Sequence, residues 1–389
     1  MSNYTKWVAC WGNATSITDQ TATTYTKNLT LRYPIRTCFN GSKLRFHFSN
    51  VTGTEPVTIH AFVANLKSGN QIEEASSKPI TFDGKPAFTI APGAERVSDE
   101  ISFEVTAGNF IAVSMYLEGY TQLNAGTLIT GCLSKGYYSY GNFAKDSELP
   151  LALTRSTNWF YFLNTVDVLT EEKNHAIICY GDSITAQDWP DELAVRAFDE
   201  GYRNVSIIRR AVSGTRILRQ YDCITYACYG LKGETRFPIE VDTAGADAII
   251  LQHGINDIIH PVGTDVNVFR PWSDLPTAKD MEDAFTNLYI KPAKARGMKV
   301  WVGTLLPIYG WRTYEPMRED LKNEFNDWLR GIATGSSPLV DGCIDFDKAV
   351  RDQDDPRRFG EGFDSGDHLH PSLSAYRAMA YAVPTDLLI

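Results

Sequence analysis

A chain of 389 residues, 43% hydrophobic and 22% charged, is long enough for two domains and apolar enough to bury a core in each. Its formal net charge of -10 excludes the clustered Lys and Arg that nucleic acid or an anionic membrane surface rewards, so a neutral small-molecule or oligosaccharide substrate fits better. No apolar run approaches membrane-spanning length, and the seven cysteines are odd in number and form no C-x-x-C, which reads as free thiols without a disulfide framework or a metal site.

Residues 1–11 lack the basic-then-apolar pattern of a signal peptide, so a cytoplasmic protein is expected, or a secreted one if a signal peptide has been removed. The first 172 residues read as β-structure. Short apolar runs at 44–48, 57–63, 87–90, 101–105 and 110–117 are separated by Gly, Pro, Asn and Asp at the spacing of a sandwich. Ile101-Ser102-Phe103-Glu104-Val105 alternates strictly, which leaves one face buried and one wet and marks an antiparallel sheet. The aromatic-rich pieces 136–140 and 159–168 are expected to carry the chain across to a second domain.

From about residue 173 the texture changes to alternating strands and helices, which implies a parallel sheet covered on both faces. Strands are expected at 176–180, 205–209, 248–252, 299–305 and 343–346, and helices at 191–200, 277–296, 315–331 and 372–382. The connections 219–241 and 258–276 exceed ordinary loop length and lie where they would shape a site.

The stretch A-I-I-C-Y-G-D-S-I-T-A-Q at 176–187 organises this second half: an apolar strand ends in Gly181-Asp182-Ser183 and a helical segment follows, so Ser183 stands at the corner with its hydroxyl toward solvent. A serine needs a base to attack at neutral pH, and the base needs an orienting carboxylate. Asp367-His368-Leu369-His370 supplies both, because Asp367 and His370, three apart, can share one side of a turn. His368 is the competing base, but one residue from Asp367 it would point elsewhere. Donors for a developing oxyanion are available at two further strand ends: Gly214 in Ala211-Val212-Ser213-Gly214, and the amide of Asn256 in His253-Gly254-Ile255-Asn256-Asp257. With the Ser183 N–H they make three.

Gly181-Asp182-Ser183, Gly214, Gly254-Ile255-Asn256-Asp257 and Asp367-His368-Leu369-His370, in this order, resemble the four blocks of the SGNH or GDSL hydrolase family over residues 174–389. The resemblance implies a three-layer α/β/α hydrolase domain at 173–389 with a parallel sheet, Ser183 as nucleophile, His370 as base, Asp367 as its orienter, and an oxyanion hole from Ser183, Gly214 and Asn256, with no metal and no cofactor. Members cleave acyl esters of lipids, thioesters and acetylated sugars. The α/β-hydrolase alternative is excluded because Thr185 stands where its G-x-S-x-G requires a glycine. The β-rich half, 1–172, is similar in arrangement to carbohydrate esterases that carry a jelly-roll-like sandwich before an SGNH domain, and 303–307 with 311–314 look like the xylan-deacetylating branch. The expected activity is therefore hydrolysis of short acyl, foremost acetyl, esters on carbohydrate. A lipid or thioester acylhydrolase is the alternative in the same fold, and a catalytically disabled carbohydrate-binding protein the alternative in another class. Trp189, His253, Trp311 and Tyr314 are the expected substrate contacts, the aromatics by stacking on a sugar.

Overall fold

The computed structural model describes residues 3–17, 25–150 and 152–389. The chain divides into two compact units, Met1–Ala176 with Ala197–Ile208, and Ile177–Arg196 with Arg209–Ile389.

The first unit is built from β1 (Lys6–Gly12), β2 (Leu29–Arg36), β3 (Gly41–Ser49), β4 (Val57–Ser68), β5 (Ala87–Ile90), β6 (Ile101–Val105), β7 (Phe110–Leu117), β8 (Gly136–Tyr140) and β9 (Leu163–Thr170), with shorter strands between them. One sheet runs β1-β9-β3-β6 and the other β8-β2-β7-β4, with β5 on the far side of β4. The registers within each sheet are antiparallel, as between Val113 and Tyr33 or Val168 and Leu44. Alternation produces the core: Ile101, Phe103 and Val105 are buried while Ser102 and Glu104 between them are exposed. Phe48 of β3 meets Phe88 of β5 edge-on at 5.1 Å, so rings from the two sheets share one apolar layer.

Two segments expected to be connections are strands instead. Residues 136–140 form β8, paired to β2 through Tyr138 and Leu31, and β9 occupies a central position between β1 and β3. Both carry polar residues that look like loop chemistry in isolation. In β9 the Oδ2 of the buried Asp167 is paired with Arg45 at 2.6 Å and His47 at 2.8 Å, which offsets the cost of holding its charge inside the sheet.

The parallel sheet lies mainly in the second unit, with residues 175–176 and 205–208 of two of its strands counted with the first. Its strands are β10 (His175–Gly181), β11 (Val205–Ala211), β12 (Ala246–Gln252), β13 (Lys299–Gly303) and β14 (Gly342–Ile344), in the order β11-β10-β12-β13-β14. Ala248 lies opposite Lys299 and Trp301 opposite Gly342 in parallel register. The helices in chain order are α1 (Ser183–Ala186), α2 (Trp189–Asp199), α3 (Gly233–Glu240), α4 (Ile255–Ile259), α5 (Ala278–Ala284), α6 (Lys291–Ala295), α7 (Pro316–Gly331), α8 (Phe346–Val350) and α9 (Leu373–Ala382). The single helix expected over 277–296 is α5 and α6 joined by a π-helical segment, Phe285–Ile290. It begins with a full capping box between Thr277 and Asp280. Among the described residues no helix is long and apolar enough to cross a membrane.

This strand order places β10 between β11 and β12, and the chain winds outward in both directions from there. The crevice beyond the carboxyl ends of β10 and β12 is the topological switch point, where an open parallel sheet leaves room for a ligand. Gly181-Asp182-Ser183 ends one of these strands and His253-Gly254 follows the other.

Candidate active site

Two local requirements hold Ser183 at the switch point. A Cβ on Gly181 would fall 2.2 Å from the Gln252 carbonyl oxygen, so only glycine lets β10 run this close to β12 as the chain turns. Asp182 then caps α1, its Oδ1 accepting the Ile184 N–H at 3.1 Å. Ser183 is not a solvent-facing corner residue, as expected, but lies 8% exposed at the bottom of a cleft of about 230 Å³. Burial drives the Asp182 carboxyl up to about 7 against the single backbone hydrogen bond that favours its anion, and its Oδ2 is buried without a partner.

His370 reaches Ser183 from the turn before α9: its Nε2 lies 2.9 Å from the Ser183 Oγ and its Nδ1 2.7 Å from the Asp367 Oδ2. The other carboxylate oxygen of Asp367 accepts the backbone N–H groups of Leu369 at 2.9 Å and His370 at 2.8 Å, so one side chain both shapes the turn and aims the imidazole. Burial alone would raise the Asp367 pKa, but the hydrogen bonds from the His370 ring and these two amides outweigh it and hold the carboxyl well below its ordinary range. An ionised carboxylate accepts only, so Nδ1 must carry the proton and Nε2 presents a lone pair to the Ser183 hydroxyl. The arrangement can therefore take the hydroxyl proton as carbon is attacked. His368 turns away, with φ +65 and its Nδ1 2.5 Å from Asp364.

The donors expected for an oxyanion lie on residues that line the same cleft: Ser183, Gly214 and Asn256. The Ser183 N–H opens α1 and has no acceptor one turn back. Gly214 follows β11 with φ +80, and a Cβ there would lie 2.1 Å from the Tyr229 ring. The Asn256 amide spends one N–H on the Thr215 carbonyl at 3.1 Å, which leaves the second free and fixes its direction. Asp257 braces the facing loop by accepting the Ile217 N–H at 2.8 Å and the Leu218 N–H at 3.0 Å. Burial nevertheless pushes its carboxyl up to about 6.

Of the four expected substrate contacts, Trp311 lines the cleft, its ring standing edge-on to His370 at 6.5 Å. The other three are corrected. Trp189 is fully buried and packs on Phe346 at 5.3 Å, with its indole N–H 3.4 Å from the Thr185 hydroxyl, so it is a core residue. His253 is equally buried, its Nδ1 3.0 Å from the Tyr289 hydroxyl and its Nε2 3.2 Å from the Thr215 carbonyl oxygen. Burial lowers its pKa to about 3, so it is a neutral strut behind the loop that carries Asn256. Tyr314 packs edge-on against Tyr309 at 4.9 Å and does not reach the cleft. The cleft wall that the sequence did not reveal comes from Gln187, Ser213, Tyr229, Ile259, His260 and Arg312. Tyr229 and His260 belong to the two long connections, as a site-shaping role for those loops requires, but neither sits in a recognisable pattern. Among the described residues, no group of three or more His, Cys, Asp or Glu could hold a metal ion.

A larger groove of about 760 Å³ exists in the first unit, but its lining holds no serine or cysteine beside a histidine. Chemistry, not size, selects the cleft at Ser183.

No curated protein matches the chain. Among solved structures it is similar to the acetylxylan esterase Axe2 from Geobacillus stearothermophilus, at 15% identity over 55% of this chain and 94% of that one, with a TM-score of 0.38. It is similar also to a GDSL-like lipase from Bacteroides thetaiotaomicron VPI-5482, at 15% identity over 56% and 89% of the two chains, with a TM-score of 0.35. The model of the GDSL-like lipase/acylhydrolase family matches residues 179–378, a span that runs from β10 through Ser183, Asn256 and His370 into α9. This span is just over half of the chain, and the protein belongs to the GDSL-like lipase/acylhydrolase family, with an SGNH hydrolase domain at its C-terminus and an all-β domain before it.

Proposed function

We propose that the protein hydrolyses short acyl esters, foremost acetyl esters on carbohydrate, through Ser183, His370 and Asp367. The observation that carries this reading is the unbroken hydrogen-bonded line Asp367–His370–Ser183, with distances of 2.7 and 2.9 Å. As the Ser183 Oγ bonds to the acyl carbon, its proton passes to His370 Nε2, and the imidazolium that forms is stabilised by the Asp367 carboxylate. The carbonyl oxygen takes up negative charge beside the N–H groups of Ser183, Gly214 and Asn256. Collapse breaks the bond to the alcohol, which receives the proton from Nε2. Water then repeats the sequence on the acyl-enzyme and releases the acid, so neither metal nor cofactor is called for.

A short acyl group is supported by the size of the cleft. About 230 Å³ lies below the range of roughly 300–1,000 Å³ that drug-sized ligands occupy. Carbohydrate is supported by a wall that mixes one open aromatic, Trp311, with the polar side chains of Gln187, Ser213, His260 and Arg312. One observation favours the alternative lipid or thioester reading: the two long connections expose Ile224, Val266, Val268, Phe269 and Trp272 near the cleft-lining Tyr229 and His260. A catalytically disabled binding protein is disfavoured, since no member of the acid–base line is missing.

For the first 172 residues we propose a jelly-roll-like accessory domain, joined to a hydrolase domain at 173–389. The strand orders β1-β9-β3-β6 and β8-β2-β7-β4-β5 support it, because the chain passes between the two sheets at β1 to β2, β2 to β3, β3 to β4, β5 to β6, β6 to β7 and β8 to β9. Rates on p-nitrophenyl acetate, butyrate and octanoate and on acetylated oligosaccharides, with Ser183→Ala as control, test the functional reading. Acetyl should exceed octanoyl by at least about tenfold, because eight carbons overpack a site shaped for two. Comparable rates on octanoate would promote the lipid alternative.

A further inference from the structure

The chain carries a net charge of -10, yet His260 in the wall of the cleft has four arginines around it. Arg270, Arg216, Arg312 and Arg318 all act electrostatically on the cleft-lining His260. Their counter-charges are few. Arg216 has Asp274 at 3.0 Å, and Arg219 draws on the same carboxylate at 3.6 Å. Arg318 donates to the carbonyl oxygens of Ile258 and Pro261 and lies 5.2 Å over the Trp272 ring, with Glu315 acting on it only at longer range. Arg270 is 8% exposed, lies 4.6 Å over the Tyr226 ring, and has a buried Nε without a partner. Arg312 is exposed and its guanidinium stacks on the Trp311 ring at 4.6 Å. Among the described residues no carboxylate oxygen lies within 4.0 Å of Arg270, Arg312 or Arg318. Of the four, Arg312 alone lines the cleft, so it is the guanidinium whose missing counter-charge a ligand could supply.

The position of Arg312 says which part of a substrate would supply it. Trp311 stands edge-on to His370 at 6.5 Å, and the cleft-lining Arg312 stacks on Trp311, so one ring links the guanidinium to His370. The turn is pinned: Trp311 N–H donates to Ile308 at 3.0 Å, Tyr314 N–H to Trp311 at 2.8 Å, and the Thr313 hydroxyl to Ile259 at 2.8 Å. In the reaction proposed above, on which this inference rests, His370 hands its proton to the departing alcohol. The alcohol therefore leaves on the side of Trp311 and Arg312, while the carbonyl oxygen faces Gly214 and Asn256. His260, kept neutral by burial and by the four arginines, adds an uncharged ring that can bond a neighbouring hydroxyl.

We propose that the cleft selects esters whose alcohol carries a carboxylate, an acetylated sugar acid such as a uronic acid, with Arg312 holding the carboxylate. A planar guanidinium matches a carboxylate in two parallel hydrogen bonds, and hydrogen bonds to charged groups contribute enough for about a tenfold preference at a partly exposed site. The negative net charge of the whole chain does not oppose this, since fields beyond about 10 Å are screened at ordinary salt.

The test compares matched pairs at about 0.1 M salt, where the charge of the whole chain is screened: 4-acetoxybenzoate against its methyl ester, and monoacetylated methyl glucuronoside against monoacetylated methyl glucoside. Mono-p-nitrophenyl succinate against p-nitrophenyl butyrate probes a carboxylate on the acyl side instead. The expected result is a kcat/KM ratio of about ten or more in favour of the carboxylate in the first two pairs only. That ratio should shrink in 0.5 M salt and fall at least about fivefold in Arg312→Gln. A ratio at or below one, a ratio unchanged by Arg312→Gln, or a preference confined to the succinate pair would overturn the proposal. Calorimetry of glucuronate and glucose with Ser183→Ala separates this outcome from failure of the esterase reading. Tighter glucuronate binding supports the anion site whatever the turnover, and equal binding refutes it.

Discussion

Asp367→Asn separates the two jobs that one carboxylate performs. Its Oδ1 accepts the amides of Leu369 and His370 at 2.9 and 2.8 Å and the Ser365 hydroxyl at 3.2 Å, while Oδ2 accepts the His370 Nδ1–H at 2.7 Å. Asparagine is nearly the same shape, and three donors converging on Oδ1 require its carbonyl oxygen there. The NH2 group then faces Nδ1, which must become the acceptor, so the imidazole proton moves to Nε2 and points at the Ser183 oxygen 2.9 Å away. A base in the wrong tautomer cannot accept the hydroxyl proton, and kcat should fall about 10⁴-fold. The turn itself survives: losing the charge but not the acceptor weakens these bonds by about 2 kcal/mol in total, or about 4–8 °C in Tm for a domain of this size. Steady-state hydrolysis of p-nitrophenyl acetate and thermal unfolding, measured on the same preparation, read the two effects separately. ¹⁵N NMR of the His370 ring reports the tautomer directly. If Asp367→Asn keeps more than about a tenth of wild-type kcat while Ser183→Ala is inactive, the tautomer argument is wrong, and Asp367 acts only on the turn.

Asn256→Ala should lower kcat by roughly 10² to 10³ with little change in KM, because its free N–H acts on charge that forms only in the transition state; a raised KM at constant kcat would make it a ground-state contact. Trp189→Ala should cost about 3–5 kcal/mol in denaturant unfolding, since it empties a fully buried ring site, and the surviving folded enzyme should keep its KM for acetyl esters. His253 gives a pH signature. Its folded pKa, lowered to about 3, lies below the unfolded value near 6.5, so the unfolded chain binds the extra proton between them and stability rises with pH across that window and is level above it. Asp182 and Asp257, raised to about 7 and 6, oppose this contribution over the same range, so the test is a difference: the urea midpoint of wild type minus that of His253→Gln should rise from pH 4 to about 6.5 and level off above, and a difference independent of pH would exclude His253 as its source.

How much of the fold is legible depends on whether a strand shows one face to water. Residues 101–105 and 87–90 were readable to the residue because a wet face imposes alternation, and β6 and β5 have those bounds, whereas 110–117, β7, is buried from Ile111 to Leu117 and was readable as a bounded apolar run. β2 hides the same information. Its first five residues are all buried, and Arg32 and Pro34 interrupt the apolar pattern. Arg32 is tolerated because its guanidinium donates to the Ser114 hydroxyl at 2.9 Å and to the carbonyls of Asn70, Phe143 and Asp146 at 2.6–2.9 Å, partners 38 to 114 residues away. No local window contains that compensation. β9 is illegible for the same reason, since Asp167 reads as a loop residue until Arg45 and His47 from β3 are placed beside it.

In the site, the legible parts are those built within one turn of chain. Asp367 and His370 are three apart and bond each other directly, and Gly181, Asp182 and Ser183 form the strand end, the cap and the candidate nucleophile in succession. Side-chain type alone does not separate a ring that meets substrate from one that fills the core, because both pay the same burial and differ only in what lies across from them. Trp189 and Trp311 show this: one faces Phe346 inside the domain, the other faces His370 across the cleft. Charge has the same property. A total of -10 is a sum over the chain, whereas a substrate meets only the groups that line the cleft, and of the four arginines that act on His260 only Arg312 is among them, with no carboxylate among the described residues bonded to it. Net charge therefore argues validly against a polyanionic partner spread over the surface, and says nothing about the sign of a group that enters a cleft of about 230 Å³.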